Sequence, residues 1–245
     1  LPIFQSVGLR IYGIPVDQHG LSIERLDELV HKHSLKMLFV NPNFQNPTGS
    51  VMPMNRKKAL MDFCRRKNLP IVEDDAYSQL SFYSTIDTNP IKQLDIEGQT
   101  IYIGSLSKYL GKSIRIGWMI APESVVNHLA NIRQKLDSGL SALPQVMAEH
   151  YLNHYAFTHE EYLRKELHQR AQNCVQWLKE TLPKDYQFDL PLGGFHLYLT
   201  HKNATKNIID SLASMNILAL SCEYFGDKKL QNSARLSFTH FTNES

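Results

Sequence analysis

Along the first half of the chain, short apolar runs alternate with stretches whose apolar residues recur at helical spacing. Leu9–Val16 is predicted as a strand, Ile23–Lys32 as a helix capped by Ser22, and Lys36–Val40 as a buried strand. A loop rich in Asn and Pro follows. After it come a helix from Met54 to Lys67 and an apolar strand, Leu69–Glu73, that ends abruptly in acids. Thr100–Gly104 and Ile114–Ala121 are two further strands. Strands separated by helices of this length predict an α/β domain with a mostly parallel sheet. In such sheets ligands collect beyond the carboxyl ends of the strands, and the unusual residues of this chain sit in loops directly after strands.

From Val125 to Leu182 the pattern is almost wholly helical, and Pro183-Lys184 ends it. Short β segments follow at Gln187–Leu190, Gly194–Thr200 and Ala234–Phe238, with one helix near Ala204–Met215 between them. The expected division is a large domain over 1–155 and a smaller α+β domain over 156–245, joined through long helices. No internal repeat or low-complexity tract interrupts the pattern.

Composition narrows the class without fixing the chemistry. The 245 residues suffice for one large domain or a large and a small one, and 42% hydrophobic with 20% charged residues is ordinary for a globular chain. No stretch reaches the roughly 18 to 20 apolar residues of a membrane helix. The start at Leu1-Pro2-Ile3-Phe4 lacks a basic segment followed by an apolar run, which favours the cytoplasm. Three widely spaced cysteines, Cys64, Cys174 and Cys222, argue against a disulfide framework. The net charge of +2 does not imply nucleic acid. Two basic triplets, Arg56-Lys57-Lys58 and Arg65-Arg66-Lys67, are expected on a solvated helix face.

Three loops carry residues suited to chemistry. In Asn41-Pro42-Asn43-Phe44-Gln45-Asn46-Pro47-Thr48-Gly49, Pro47 restricts the backbone of Asn46, so a polar side chain is held in one direction past a strand end. In Glu73-Asp74-Asp75-Ala76-Tyr77, acids follow a buried run, a costly placement unless a cation or donor compensates. In Gly104-Ser105-Leu106-Ser107-Lys108, with Arg115 seven positions on, two hydroxyls and a guanidinium suit a dianionic phosphate. A lysine beside such a group is a phosphate ligand or, with its pKa lowered, a nucleophile toward an aldehyde. Singly, each loop also reads as a turn, a cap or a solvated lysine. Together they match the needs of pyridoxal 5'-phosphate: a carboxylate for the pyridine nitrogen, Asn and Tyr for the phenolic oxygen, hydroxyls and Arg for the phosphate, and a lysine for the aldehyde.

On these residues the sequence resembles the class I/II aminotransferases of pyridoxal-phosphate fold type I, over essentially its whole length. Asn46-Pro47-Thr48-Gly49 resembles the family's Asn-Pro-x-Gly loop, which implies that Asn46 contacts the phenolic oxygen. The resemblance implies Asp74 as the partner of the pyridine nitrogen and Tyr77 as a second phenolic-oxygen ligand. It makes Lys108 the covalent anchor and general base, with Ser105, Ser107 and Arg115 on the phosphate. Arg235, in Ala234-Arg235-Leu236-Ser237-Phe238, resembles the arginine that grips a substrate carboxylate, and Gly193-Gly194-Phe195-His196-Leu197 the strand before it. Lys112-Ser113 stands where the family has Pro-Gly, with the spacing to Arg115 kept. The family also has a substantial segment ahead of the point where this chain begins, and a final helix starting near Thr242–Ser245; both ends are expected to be cut.

Two branches of the family fit best. One is the MocR-type branch of the GntR regulators, in which an aminotransferase-like domain follows a winged-helix DNA reader; the Gly-Ser-Leu-Ser-Lys segment favours it. The other is the free-standing aminoadipate and aromatic aminotransferases. The first implies a domain that senses an amino acid or amine, touching DNA only through a domain absent from this chain. The second implies amino-group transfer to a 2-oxo acid. A fragment with the fold and no cofactor is a third possibility. The resemblance implies a homodimer. His150 and His154 stand at i, i+4, but no third ligand completes a metal site, and Tyr151, Tyr155, Phe157 and Tyr162 are read as packing or subunit contacts. No Gly-x-Ser-x-Gly or Gly-x-Gly-x-x-Gly motif supports a hydrolase or a dinucleotide enzyme.

Overall fold

The structure is a computed structural model that describes residues 2–136, 139, 141–226 and 230–241. The expected helix start at Thr242–Ser245 lies outside the described residues. In chain order the elements are α1 (Pro2–Ser6), β1 (Val16–Asp17), β2 (Gly20–Leu21), α2 (Ile23–Lys32), β3 (Leu38–Val40), α3 (Met54–Arg66), β4 (Ile71–Asp75), β5 (Thr100–Ser105) and β6 (Gly117–Ile120). Then follow α4 (Glu123–Leu136), α5 (Ala142–His154), α6 (Ala156–Thr181), β7 (Tyr186–Gln187), β8 (His196–His201), α7 (Ile208–Ser214), β9 (Leu220–Ser221) and β10 (Ser233–Ser237).

The fold is α/β, built on two four-stranded sheets. The first runs β3-β4-β5-β6, with β3, β4 and β5 parallel and β6 antiparallel at the edge. The second, β7-β8-β10-β9, is wholly antiparallel. α3 carries Leu60, Met61, Phe63 and Cys64 on the stripe that buries against Leu38, Val40 and Ile71 of the first sheet. The second sheet and α6 close over Leu197, Leu199, Ala234, Leu236, Ala171, Cys174 and Leu178, and this cluster also takes in Phe44, Tyr77 and Leu80 from the first half of the chain. All three cysteines are free and buried. Among the described residues, no helix is long and apolar enough to cross a membrane.

Several boundaries differ from the sequence pattern. Leu9–Val16 is not a strand: only Val16–Asp17 pairs, with Gly20–Leu21, and Gly13 and Pro15 interrupt a run that has no neighbouring strand to bond among the described residues. Tyr12 instead stacks on His33 at 4.0 Å between ring centroids. The strand expected to end in acids continues through them, because β5 pairs with β4 as far as Asp75↔Gly104. The long helical run consists of three helices, α4, α5 and α6, the last two meeting at Tyr155. Of the expected strand Gln187–Leu190 only Gln187 lies in the second sheet, in β7 after Tyr186. The basic face of α3 is also not uniformly solvated. Lys57 is wholly buried; its Nζ donates to Asn43 Oδ1 at 2.9 Å and to the Asn89 carbonyl at 2.6 Å.

Gly193 and Gly194 join the two halves. Gly194 N–H donates to the Leu80 carbonyl at 3.1 Å, and Gly193 bridges Ser81. A Cβ on Gly193 would lie 2.5 Å from that carbonyl and from the Phe44 ring, so only glycine permits the approach.

Candidate functional site

Period-two alternation along β4 separates its three acids. Ile71, Glu73 and Asp75 are buried on the face that meets α3, while Val72 and Asp74 face the other way and are half-buried. The α3 side is fully bonded. Glu73 accepts the N–H groups of Ile91 and Lys92 at 2.7 and 2.8 Å. Asp75 accepts the Tyr102 hydroxyl at 2.9 Å and Asn43 Nδ2 at 3.4 Å, and Asn43 links onward to the Lys57 ammonium. Burial pushes the Glu73 carboxyl up to about 7 despite those two donors. The same burial holds Lys57 below the usual lysine range, and the charges of Asp87, Glu73 and Asp75 oppose that fall.

Asp74 differs from its neighbours. Its carboxylate meets no hydrogen-bond donor among the described residues, and burial together with Asp75 raises its pKa, while Lys108 opposes that rise. Its backbone is pinned instead. Asn41, just past β3, donates to the Asp74 carbonyl at 2.6 Å and accepts the N–H of Asn46 at 3.0 Å. One side chain therefore ties the strand that carries Asp74 to the loop that carries Asn46. The Asn46–Pro47 peptide is cis, and the loop folds back through Gln45, which accepts from Thr48 Oγ1 at 2.6 Å.

Lys108 ends the short 3-10 turn Leu106–Lys108 that follows β5, and Ser105 Oγ caps this turn by accepting the Ser107 N–H at 3.1 Å. Gly104, just before it, lies under the Trp118 indole, where a Cβ would come within 2.3 Å of the ring. The Lys108 ammonium lies 5.2 Å over the Tyr77 ring and 5.9 Å from that of Phe195. Burial lowers its pKa, with Arg235 acting in the same direction and Asp74 opposing. Tyr77 is buried and its hydroxyl is pushed up to about 12, chiefly by burial.

The antiparallel sheet supplies Arg235. Its Nη1 donates to Asn46 Oδ1 at 2.8 Å, a contact across 189 residues of chain, and its guanidinium lies 4.9 Å over the Phe225 ring. Thus Asn46, Asp74, Tyr77, Lys108 and Arg235 form one group. Ser105 and Ser107 lie on the same turn as Lys108. Arg115 does not join them directly. It is exposed, its backbone is left-handed at φ 52°, and no contact of its side chain with Ser105, Ser107 or Lys108 is present among the described residues. Its backbone is nonetheless brought alongside, because Leu106 N–H donates to the Ile116 carbonyl at 3.0 Å and Leu106 packs with Ile114.

Three residues were missed in reading the sequence. Asn41 had a signal, as the first polar residue after an apolar strand. Lys57 had none, because its triplet resembles any solvated helix face. His196 was visible by alternation: in Phe195-His196-Leu197-Tyr198-Leu199 the leucines enter the core, which sends His196 and Tyr198 to the face that carries Arg235. The arrangement as a whole is a desolvated amine beside a carboxylate, a phenol and a guanidinium, the set needed to attack a carbonyl and retain an anionic ligand. Among the described residues no group of three or more His, Cys, Asp or Glu is placed to hold a metal, and the His150 and His154 rings stack on each other at 4.6 Å.

Comparison with known proteins agrees in fold and differs in what the relatives do. Residues 2–245 match the family model described as aminotransferase class I and II. The HTH-type transcriptional regulator YisV of Bacillus subtilis (strain 168) is 33% identical over 243 residues, covering 98% of this chain and 50% of that protein. The chain thus spans about half the length of the curated regulators it matches. Among solved structures, the kynurenine aminotransferase of Pyrococcus horikoshii superposes with a TM-score of 0.84 at 28% identity, over 94% of this chain and 59% of that one. The α-aminoadipate aminotransferase LysN of Thermus thermophilus, complexed with N-(5'-phosphopyridoxyl)-L-leucine, superposes with a TM-score of 0.86 at 25% identity, over 96% and 62%.

Proposed function

We propose, from the premise that this chain belongs to the class I and II aminotransferase family, that it holds pyridoxal phosphate on Lys108 and uses the site to bind an amino acid or amine as the sensing domain of a transcriptional regulator. One observation carries the reading. The Lys108 amine is desolvated, lies over Tyr77 within the field of Asp74, and has no hydrogen bond or ion pair of its own among the described residues. The donor set suits the cofactor. Asp74 keeps a free carboxylate for a pyridinium N–H, whereas the oxygens of Glu73 and Asp75 are already engaged. Bound there, pyridoxal phosphate supplies an aldehyde for an amine and a ring that withdraws electrons from the ligand Cα.

The remaining work falls to the chain. Asp74 keeps the ring nitrogen protonated, and Asn46 and Tyr77 hold the phenolic oxygen. Ser105, Ser107 and Arg115 hold the phosphate, and Arg235 takes the ligand carboxylate. The lowered pKa of Lys108 favours its uncharged amine relative to a solvated lysine, and that is the form able to give up the cofactor and accept a proton at Nζ. The regulator reading is supported by YisV and by NorG of Staphylococcus aureus (strain USA300), an HTH-type transcriptional regulator 28% identical over 99% of this chain. Contact with DNA then belongs to a segment beyond this chain, and the division at 155/156 and a homodimer belong to the same reading. The aminotransferases among the solved structures favour the second reading, a catalytic transaminase.

The test is to incubate the chain with pyridoxal phosphate, reduce with borohydride and map the modified peptide. A stoichiometric adduct confined to Lys108 is expected. Labelling scattered over surface lysines, or none, overturns the cofactor assignment. With the adduct in hand, sustained transfer of amino groups to a 2-oxo acid decides for the transaminase and against the sensor.

A further inference from the structure

His196 opens β8 and pairs with Ser237 of β10 on the sheet face that carries Arg235. Its ring stands edge-on to Tyr77, with centroids 5.8 Å apart at 82°, and 6.4 Å from Phe195. The loop that carries Asn46 passes close to the backbone of His196: a Cβ on Gly49 would lie 3.8 Å from the His196 carbonyl. The imidazole therefore stands beside Tyr77 on the sheet face that carries Arg235, and among the described residues its nitrogens make no hydrogen bond. A half-buried polar ring without a partner costs free energy that a ligand can recover.

The charges around it determine what ligand that is. Arg235 bears on the ring from β10 and Lys108 from the turn after β5, both cationic. From the end of β4, Tyr77 faces it with a hydroxyl that stays protonated, and Asp74 bears on Lys108 and Tyr77. Burial first, then the two cations, hold the imidazole uncharged, down to about 3. A carboxylate seated at Arg235 cancels the repulsion and offers an acceptor.

We propose that His196 is a specificity-determining residue: its imidazole donates a hydrogen bond to the carboxylate that Arg235 holds, and the ring takes one proton from solvent as that carboxylate binds. The inference rests on the reading that Arg235 is the carboxylate ligand of this site. It makes the site selective for acids over plain amines, and it makes their affinity rise as pH falls, because bound ligand and bound proton favour each other.

The test uses 3-phenylpropionate, a carboxylate with no amine and so unable to react with an aldehyde. Its binding is measured by calorimetry at pH 5 and pH 7, in buffers of different ionisation enthalpy, on the chain with and without pyridoxal phosphate. Binding on the order of tenfold tighter at pH 5, with net proton uptake, is expected of the natural chain. His196→Phe should bind more weakly at both pH values and lose the pH dependence. His196→Gln keeps a donor that cannot titrate, and should retain most of the affinity at pH 7 while losing the gain at pH 5. An unchanged pH profile in both variants, or no binding by the natural chain, overturns the inference. If Lys108 is labelled while His196 proves indifferent, this inference falls and the cofactor reading stands. If Lys108 is not labelled while pH-linked binding still follows His196, the reverse holds.

Discussion

The strand end that carries Asp74 and Tyr77 is braced from behind, whereas in the segment that carries Ser105, Ser107 and Arg115 the last of these is exposed. Behind Asp74, the Lys57 ammonium, Asn43, Asp75 and Tyr102 form a continuous buried network, and Asn41 ties the strand to the neighbouring loop. Arg115 has no such support; it is exposed on a left-handed backbone. The difference separates what the fold organises before a ligand arrives from what the ligand must organise itself. Side chains locked by neighbours keep their geometry at no further cost on binding. An exposed arginine loses side-chain freedom only when an anion engages it.

The sharpest way to break this contrast is to remove the brace. Lys57→Met leaves Asn43 Oδ1 and the Asn89 carbonyl without their buried donor and removes a cation that acts on Glu73 and Asp75, and it is expected to cost about 3 kcal/mol, read as a lower urea midpoint. Adding Asp75→Asn should recover part of the loss, since it removes the charge that Lys57 balanced. A midpoint equal to that of the natural chain would mean the strand end is not braced at all. Arg115→Ala takes the exposed side of the contrast and should show the opposite signature. Cofactor-free stability stays within about 0.5 kcal/mol, while pyridoxal-phosphate affinity, followed by absorbance titration, falls by about tenfold or more. Acid gives a third test. His196 is held down to about 3 in the folded chain, while an unfolded histidine protonates near its ordinary value of 6.5. The unfolded state therefore takes up a proton first, and stability is lost as pH falls from about 6.5 toward 3. His196→Asn should flatten that stretch of a thermal-denaturation pH series without altering the neutral plateau.

The same contrast explains what could be read from the sequence. The α3 helix was legible almost to the residue, since Pro53 and Asn68 bound an amphipathic run whose packing stripe needs only local information. β4 and β5 were legible as apolar runs, and the motif residues as a set, because each belongs to a loop with its own restrictions. Leu9–Val16 misled because a strand exists only where another strand accepts its hydrogen bonds, and among the described residues none lies beside it. Lys57 misled for a related reason. Its side chain is governed by Asn43 and Asn89, 14 and 32 positions away, and nothing in its own triplet reports them. Arg115 was placed by spacing alone, and spacing positions a backbone without aiming a guanidinium.

The contact between Arg235 and Asn46 sets an entry threshold. A molecule that takes the Nη1 hydrogen now bonded to Asn46 Oδ1 at 2.8 Å has to displace that amide oxygen, so association at that hydrogen is an exchange of acceptors and not a simple gain. A neutral carbonyl offers nothing better than the amide it evicts. An ionised acceptor does, because a charge-assisted bond is about twice as strong as a neutral one. The chain's own asparagine thus serves as a reference competitor for that one N–H, and an ionised acceptor outbids it where water or an uncharged solute only matches it.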